Sequence, residues 1–244
     1  MNLNEIKPIN LREQVVEQVK TAIIEGRLKP GDHMVEATLT RQLGVSRTPL
    51  REALILLERE GLVETIPNKG TFVRRFSEKD IEMIFSLRIA LENFAAERII
   101  DQFKEDDIRA LELLIGQQGQ YILKNDFKNV RSLDMRFHRY LIERSEHSLL
   151  LRSWSEIVAQ IAALLYMRAE AMPSYNENLA ISDHQSILEA YQKRNLPEIK
   201  RLNQMINDRV AHECLESLAR LNIAPTIEKN NRPRRTGGID VTIS

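Results

Sequence analysis

The feature that most constrains the fold is the unbroken succession of helical patterns after residue 77. Apolar residues recur there at helical spacing, and no alternating pattern typical of a strand interrupts them. Asp126, Ser148, Pro173 and Pro197 mark joints between the segments. The predicted helices cover residues 78–102, 105–124, 127–146, 148–171, 177–194 and 197–221. Such a series packs most simply as an antiparallel all-α helical bundle.

The first 75 residues have a different pattern, with three short helices followed by two β-prone runs. The helices are predicted at residues 11–25, 36–43 and 47–60. Residues 62–66 and 71–73 flank a Pro-Asn-Lys-Gly turn, which predicts a β-hairpin. Ser77 and Asp80 then have the spacing of a capping box at the start of the first bundle helix. Three helices and a hairpin in this order indicate a winged helix-turn-helix.

We therefore predict a mainly α protein with two domains. An N-terminal winged helix-turn-helix with a small β-hairpin wing is expected at residues 9–76, with its helix-turn-helix at about 36–55. The C-terminal antiparallel all-α bundle is expected at residues 77–222. Residues 223–244 include Asn-Asn-Arg-Pro-Arg-Arg and Gly-Gly and are predicted to form a flexible tail.

The formal net charge is zero, because 35 Lys and Arg residues balance 35 Asp and Glu residues. Taken alone, this total would argue against nucleic acid as a partner. The distribution is uneven, however, since residues 1–75 contain 12 basic and 10 acidic residues, whereas residues 76–222 contain 19 and 23. Neutrality therefore does not exclude DNA. The net charge of zero indicates that the electrostatic attraction to DNA is modest and concentrated on one surface of the protein.

The sequence favours a cytoplasmic location. Cys214 is the single cysteine, so no internal disulfide can form, and a buried inert thiol is expected. The first ten residues contain Glu5 and Lys7 and lack the apolar core of a signal peptide. The most apolar stretch, residues 157–167, has only the length of a core helix and is interrupted by Gln160, so no membrane span is predicted.

The start of the third predicted helix contains residues suited to reading DNA. Ser46 is its N-cap candidate, and Arg47, Thr48 and Arg51 follow. Arg47 and Arg51 lie four residues apart on the face opposite the leucines, where guanidinium groups can form bidentate contacts with guanine. Each arginine alone is more often a solvated surface residue, but the preceding glycine turn, the cap and the hairpin together favour DNA.

The hairpin adds a second region of candidate DNA contacts. Lys69 stands beside Gly70 at its tip, where a residue without a side chain lets the backbone approach the duplex. Arg74 and Arg75 close the second strand and are expected near phosphates.

Three residues of the predicted bundle form a candidate metal or effector site. Asp134 and His138 are four residues apart and share one helix face, and His184 opens a later helical segment. A carboxylate and two imidazoles from different helices can converge on a divalent metal such as Zn²⁺. From spacing alone such a pair is more often a surface or capping pair, and the same residues could bind an organic anion directly. Arg88 is expected to pair with a carboxylate such as Glu92, with effector contact as the alternative.

The chain resembles the GntR family of bacterial transcriptional regulators. The resemblance is carried by Gly-Val-Ser-Arg-Thr-Pro-Leu-Arg-Glu-Ala-Leu at 44–54, Glu-Gly-Leu-Val at 60–63 and Asn-Lys-Gly-Thr-Phe-Val at 68–73. The helical remainder is similar to the FadR-type effector domain, the FCD domain, beginning at Leu-Arg-Ile-Ala-Leu-Glu in 87–92. The resemblance implies a homodimeric repressor that binds a palindromic operator and is controlled by a small organic-acid effector.

The resemblance also implies roles for individual residues. The implied DNA contacts are Ser46, Arg47, Thr48, Arg51, Asn68, Lys69, Gly70 and Thr71. The family often has an arginine where Ala37 stands here, which leaves Arg41 as the candidate on the second helix.

Many FadR-type domains hold a divalent metal with an Asp-xxx-His pair, a later His and a fourth ligand twenty-two residues further on. Asp134, His138 and His184 match the first three positions, whereas Ile206 stands at the fourth and cannot ligate. A three-ligand site completed by water or by an acidic effector is therefore implied, with Arg88 and Asn207 in the effector pocket.

Two other functions stay open from the sequence. One is a metal-dependent hydrolase built on Asp134, His138 and His184, although no nucleophile motif and no glycine-rich phosphate loop accompanies them. The other is a DNA-binding dimer without ligand sensing, which the departure at Ile206 favours. We predict a regulator and not an enzyme.

Overall fold

The computed structural model describes residues 11–173 and 175–223. Residues 9 and 10 of the predicted first domain and residues 224–244 of the predicted tail lie outside the described residues. The helices are α1 Leu11–Ile24, α2 Glu36–Leu43, α3 Arg47–Arg59, α4 Glu78–Ile99, α5 Glu105–Leu123, α6 Phe127–Arg144, α7 Ser148–Ala171, α8 Asn178–Gln192 and α9 Leu196–Ile223. The strands are β1 Val63–Ile66 and β2 Gly70–Val73, and a 3₁₀ turn at Ile100–Gln102 follows α4.

The N-terminal domain is the predicted winged helix-turn-helix. The apolar stripe of α1 packs against α3, whose Leu50 and Leu57 are fully buried. Gly44 ends α2 in the left-handed region at φ 66°, a conformation that glycine adopts at little cost, and so reverses the chain toward α3. The strands β1 and β2 pair antiparallel, from Val63 opposite Val73 to Ile66 opposite Gly70.

The two domains meet at the capped start of α4. Ser77 and Asp80 form the predicted capping box, since the Ser77 Oγ accepts from the Asp80 N–H at 3.1 Å and the Ser77 N–H donates to Asp80 Oδ2 at 2.8 Å. The guanidinium of Arg74 pairs with Asp80 and donates to Gln160 Oε1 on α7 at 3.4 Å. This side chain therefore joins the wing to the bundle, and a position of Arg74 near phosphates stays a prediction.

The C-terminal domain is the predicted helical bundle, in which α4 and α9 make the most extensive helix pair. The core side chains that are almost fully buried include Phe85, Phe137, Trp154, Ile161 and Ile199. Cys214 is also buried, and this burial raises the pKa of its thiol to about 12, which agrees with the predicted inert role.

Helix α7 is the apolar centre of the bundle. Among the described residues it is the one helix with the length and composition to cross a membrane. In this structure it packs against α9, α4 and α6, and Trp154 and Ile161 are fully buried between them. The pattern is that of a core helix of a globular domain.

The position of His184 differs from the expectation. Helix α8 begins at Asn178, so His184 lies about two turns inside the helix and does not open it. The physical consequence is that His184 is held by helix packing on all sides, with 1% of its surface exposed.

Candidate functional site

The exposed start of α3 presents the first group of predicted DNA contacts. Ser46 is the N-cap, as predicted, but its side chain makes no capping hydrogen bond, so its hydroxyl is not used by the helix. Arg47 and Thr48 follow in the first turn, and both are exposed. At the N-terminal turn of a recognition helix, hydroxyl and guanidinium groups lie where they can contact phosphates and base edges.

Arg51 is held by the neighbouring helix. Its Nε donates to both carboxylate oxygens of Glu36 on α2, at 2.9 and 3.0 Å. The Arg51 guanidinium lowers the pKa of the Glu36 carboxyl, and the pKa of Arg51 is raised in turn. Because these bonds use Nε and the side chain is 60% exposed, the guanidinium is restrained but still accessible.

The tip of the wing presents the second group. Asn68, Lys69 and Gly70 are exposed, and Thr71 is half-buried with its Oγ1 3.3 Å from Thr65 Oγ1. Gly70 has φ 101°, and a Cβ at this position would stand 2.7 Å from the His33 Nε2. Only glycine therefore fits here.

The wing is also braced from behind. The imidazole of His33 stacks on Phe72 of β2 at a centroid distance of 4.6 Å, and the backbones of the two residues form a β-bridge. On the next residue, the Met34 N–H donates to the Thr71 carbonyl at 2.8 Å. These contacts support β2 on the side opposite β1.

In the bundle, the structure brings Asp134, His138 and His184 together. One ligand atom of each lies within 4.8 Å of the other two. The His184 Nε2 is 3.2 Å from Asp134 Oδ1 and 3.3 Å from His138 Nε2. Both imidazoles are almost fully buried.

Hydrogen bonds orient the two imidazoles. The His138 Nδ1 is 2.9 Å from Glu92 Oε1, and the His184 Nδ1 is 3.0 Å from Gln118 Oε1. The Gln118 Nε2 donates to the Val130 carbonyl at 3.3 Å, which turns the amide oxygen toward His184. The His138 Nδ1 therefore donates to the Glu92 carboxylate, and its Nε2 keeps a lone pair. The His184 Nε2 lies between two acceptors, this lone pair and Asp134 Oδ1. A proton or a divalent cation can occupy the space between these three atoms, so the donor set fits a metal.

Glu92 connects this cluster to the remaining predicted residues. Its carboxylate accepts from Arg88 Nε at 2.8 Å, from His138 Nδ1 at 2.9 Å and from Asn207 Nδ2 at 3.0 Å. Burial opposes ionisation, but Arg88 and His138 outweigh it and lower the pKa of Glu92 to about 2. The predicted pairing of Arg88 with Glu92 is confirmed. Burial and the nearby Arg88 lower the pKa of His138, which keeps the imidazole neutral, as a metal ligand must be.

A small cavity adjoins the cluster and encloses about 30 Å³, the space of about one water molecule. Ile206 forms part of its wall with an apolar side chain. Three arginines and three carboxylates also line it: Arg88, Arg131, Arg168, Asp134, Glu177 and Asp183. Part of this charge is paired within the lining, since the Arg131 Nη1 donates to Glu177 Oε1 at 3.2 Å.

Sequence reasoning missed several of the cavity residues. Glu177 and Gln118 gave no local signal, because the packing of separate helices brings them to the site. Arg168 did give one, since it is a charged residue within the most apolar helix, and it is 95% buried in the structure.

Comparisons with known proteins assign both halves of the chain. Residues 11–73 match the model of "Bacterial regulatory proteins, gntR family", and residues 83–208 match that of the FCD domain. The HTH-type transcriptional regulator YdhC of Bacillus subtilis is 30% identical over 216 residues, which cover 85% of this chain and 91% of that protein. The gluconate operon transcriptional repressor of the same organism is 27% identical, over 80% of this chain and 82% of the repressor. The crystal structure of a GntR transcriptional regulator from Rhodococcus sp. RHA1 matches with a TM-score of 0.71 at 20% identity. The match covers 84% of this chain and 97% of the Rhodococcus chain, and it supports the assigned fold.

These matches decide between the functional classes that the sequence left open. The family and its relatives are transcriptional regulators and not enzymes, so the metal-dependent hydrolase built on Asp134, His138 and His184 is excluded. The combination of winged helix-turn-helix and FCD domain is the one implied by the motifs at 44–54 and 87–92. The chain belongs to the GntR family of bacterial transcriptional regulators and carries an FCD effector domain.

Proposed function

We propose that this regulator is a cytoplasmic homodimeric repressor that binds a palindromic operator and is controlled by a small organic acid. The operator-binding unit is assigned to residues 9–76 and the effector and dimerisation unit to 77–222. The observation that carries the effector assignment is the buried Asp134–His138–His184 cluster beside a cavity rich in arginine. A carboxylate is a functional group that these guanidinium groups can bind through charge-assisted hydrogen bonds.

On the DNA side, the proposed contacts are Ser46, Arg47, Thr48 and Arg51 of α3 and Asn68, Lys69, Gly70 and Thr71 of the wing. The restrained but exposed Arg51 supports base recognition, and the exposed Lys69 supports a phosphate contact. Arg41, exposed in the last turn of α2, is the proposed substitute for the arginine that Ala37 replaces.

Helix α4 supports the homodimer. Met83, Leu87 and Phe94 are exposed apolar residues, 52%, 43% and 40% exposed respectively, and they fall on one stripe of the helix. A two-fold symmetric contact along this stripe would present two recognition helices to the two halves of a palindrome.

The Asp134 carboxylate and the Nε2 atoms of His138 and His184 are the groups that would hold a divalent ion such as Zn²⁺. Bound there, the ion would supply positive charge for an acidic effector. Ile206 offers no ligand, which leaves a coordination position for water or for the effector.

Two measurements test this function. Sequences selected by the purified protein from random duplex DNA should contain an inverted repeat. Lys69→Ala should weaken binding to the selected duplex, and the dependence of log affinity on log salt concentration should become shallower by about 1. Selection of no sequence, or of an asymmetric one, would contradict a palindromic operator.

Elemental analysis tests the metal. Wild-type protein should contain about one divalent ion per chain, and His138→Ala should lose it. Equal metal content in the two proteins would exclude this site. If wild-type protein also showed no thermal shift with any organic acid, the DNA-binding dimer without ligand sensing would be the correct function.

A further inference from the structure

A groove lies between α1 of the DNA-binding domain and helices α6 and α7 of the bundle. Its volume is about 390 Å³, which is in the range of small-molecule sites. Thr21 and Ile24 of α1 form one wall, and α6 and α7 form the rest of the lining. The smaller cavity beside Asp134 is lined by bundle residues alone, and only Arg131 and Leu165 line both. The groove is therefore a second, separate space that both domains enclose.

The part of the groove formed by α7 is apolar. Ala159 and Ala162 are three residues apart and so share one face of the helix, where their short side chains leave a recess. Five larger apolar side chains border this recess: Ile24, Met135, Val158, Leu165 and Tyr166. A recess of this kind suits a flat apolar body such as an aromatic ring system.

The rim of the groove is positively charged. Among the described residues, five cations line the groove but only one carboxylate, that of Glu25. Four of the cations are paired with carboxylates of the protein: Lys20 with Glu60, Lys128 with Glu25, Arg131 with Glu177 and Arg139 with Glu143. These four charges are compensated, so they do not by themselves call for a ligand.

Arg136 is the fifth cation of the rim, and its charge is not compensated. Its side chain is exposed, and it has no hydrogen bond or ion pair with another residue in the part of the chain that the structure describes. Ser132 lies one turn earlier on α6, also at the rim, and its exposed hydroxyl is likewise without a partner within 11–173 and 175–223. The groove thus combines an apolar recess with one unpaired guanidinium and one unused hydroxyl, which together complement a single negative charge.

We propose that this interdomain groove binds a flat apolar compound that carries one negative charge. The ring system would cover Ala159 and Ala162, and the anionic group would accept from Arg136. Because the compound would contact α1 and α7 at once, it would fix the DNA-binding domain against the bundle and thereby change operator affinity. This last step rests on the proposed operator binding. The site itself is independent of the Asp134–His138–His184 cluster and needs no metal.

Isothermal titration of the full-length protein with 2-naphthoate and with its neutral analogue 2-naphthamide tests the proposal. Wild type should bind naphthoate about three- to tenfold more tightly, because only the carboxylate gains the charge-assisted contact. Arg136→Gln should bind the two compounds equally, with its naphthamide affinity unchanged. The matched control is Arg109→Gln on α5, since this arginine is also exposed, at 62%, outside the groove. It should keep the wild-type preference.

A second variant tests the apolar recess. Ala162→Leu fills it and should weaken binding of both compounds by at least about tenfold, whereas Ala169→Leu, half-buried on α7 outside the groove, should not. Removal of divalent ions with EDTA should leave both affinities unchanged, because the groove uses no metal. Saturating naphthoate should change the operator affinity of wild type by at least about threefold and, at the same concentration, leave that of Ala162→Leu unchanged.

Several results would overturn the proposal: no binding by wild type, equal affinity for the two compounds, a preference for naphthoate that persists in Arg136→Gln, or binding that EDTA abolishes. If Ala162→Leu sedimented as a monomer while wild type is a dimer, a second copy of the chain would cover the groove instead. Operator binding without naphthoate separates the two kinds of failure. Its absence in wild type would contradict the proposed regulator, whereas an operator affinity that naphthoate does not change would contradict the fixed domain.

Discussion

Gly26 lies so close to the ring of Tyr166 that a Cβ at position 26 would clash with the Tyr166 Cε1. The contact joins the turn after α1, in the DNA-binding domain, to α7 of the bundle. Gly26→Ala should therefore destabilise the protein twice, through the left-handed backbone at φ 66° and through the clash.

Gly44→Ala separates these two effects. Gly44 has the same φ of 66°, but nothing lies within 4 Å of a Cβ there. We expect a loss of about 1 kcal/mol for Gly44→Ala and a larger loss, of about 2–4 kcal/mol, for Gly26→Ala. Urea unfolding measures both. Equal losses would mean that the Tyr166 contact adds nothing to stability.

The restrained guanidinium of Arg51 predicts a base-specific contact. Arg51→Ala should reduce operator affinity by about 10–100-fold and reduce binding to random duplex much less. Fluorescence anisotropy with both duplexes measures the ratio. Glu52→Ala, at the neighbouring exposed position, is the control and should leave the ratio unchanged. A parallel loss on both duplexes in Arg51→Ala would assign this residue to phosphate contact.

Ile206 is the position where a fourth metal ligand is missing. Ile206→His would place an imidazole at the cavity wall, and we expect it to raise metal affinity by at least about tenfold. Competition with a chromophoric chelator measures the affinity, and Ile206→Leu controls for altered packing. Unchanged affinity in the histidine variant would show that this wall does not face the ion.

The exposed stripe on α4 predicts the oligomeric state. Leu87→Asp should shift the protein from dimer to monomer at micromolar concentration, because a charge in an apolar interface is desolvated without a partner. Sedimentation velocity distinguishes the two states. Leu113→Asp is the control, since this leucine of α5 is also exposed, at 61%, outside the stripe. A Leu87→Asp dimer as stable as wild type would place the interface elsewhere.

Asp107 predicts how stability depends on pH. Its carboxylate accepts from the Tyr140 hydroxyl at 2.7 Å, the Arg144 Nε at 2.8 Å and the Lys104 N–H at 2.8 Å. Burial opposes ionisation, but these donors outweigh it, so the pKa of Asp107 in the folded state lies below its ordinary value. The stabilisation is therefore complete above the unfolded pKa of about 4 and is lost as the pH falls through the folded value.

Asp107→Asn should accordingly cost about 1–3 kcal/mol at pH 7 and clearly less at pH 3. Urea unfolding at the two pH values measures the difference. Asp106→Asn is the matched control, because the neighbouring carboxylate is 84% exposed and should show little effect at either pH. A loss in Asp107→Asn that does not change with pH would point to packing as the cause.

The architecture and the cluster were predictable to different degrees. The bounds of α7 agree with the predicted 148–171, and the Ser77–Asp80 capping box was read correctly, because both depend on local patterns. The convergence of His184 with Asp134 and His138 followed from the family motif. The partnership of Glu177 with Arg131 and Arg168 could not be foreseen, since it depends on how α6, α7 and the segment before α8 pack together.

Helix α4 carries residues of three separate regions. Asp80 in its first turn pairs with Arg74 of the wing, Arg88 lines the cavity beside the Asp134–His138–His184 cluster, and Leu87 lies on the proposed dimer stripe. The twelve helical steps from Asp80 to Glu92 span about 18 Å at 1.5 Å per residue. A tilt of α4 by about 10° around its cavity end would move the wing attachment by about 3 Å, close to the 3.4 Å rise of one base pair. In the proposed dimer, a tilt of this size would displace each half-site contact by about one base pair.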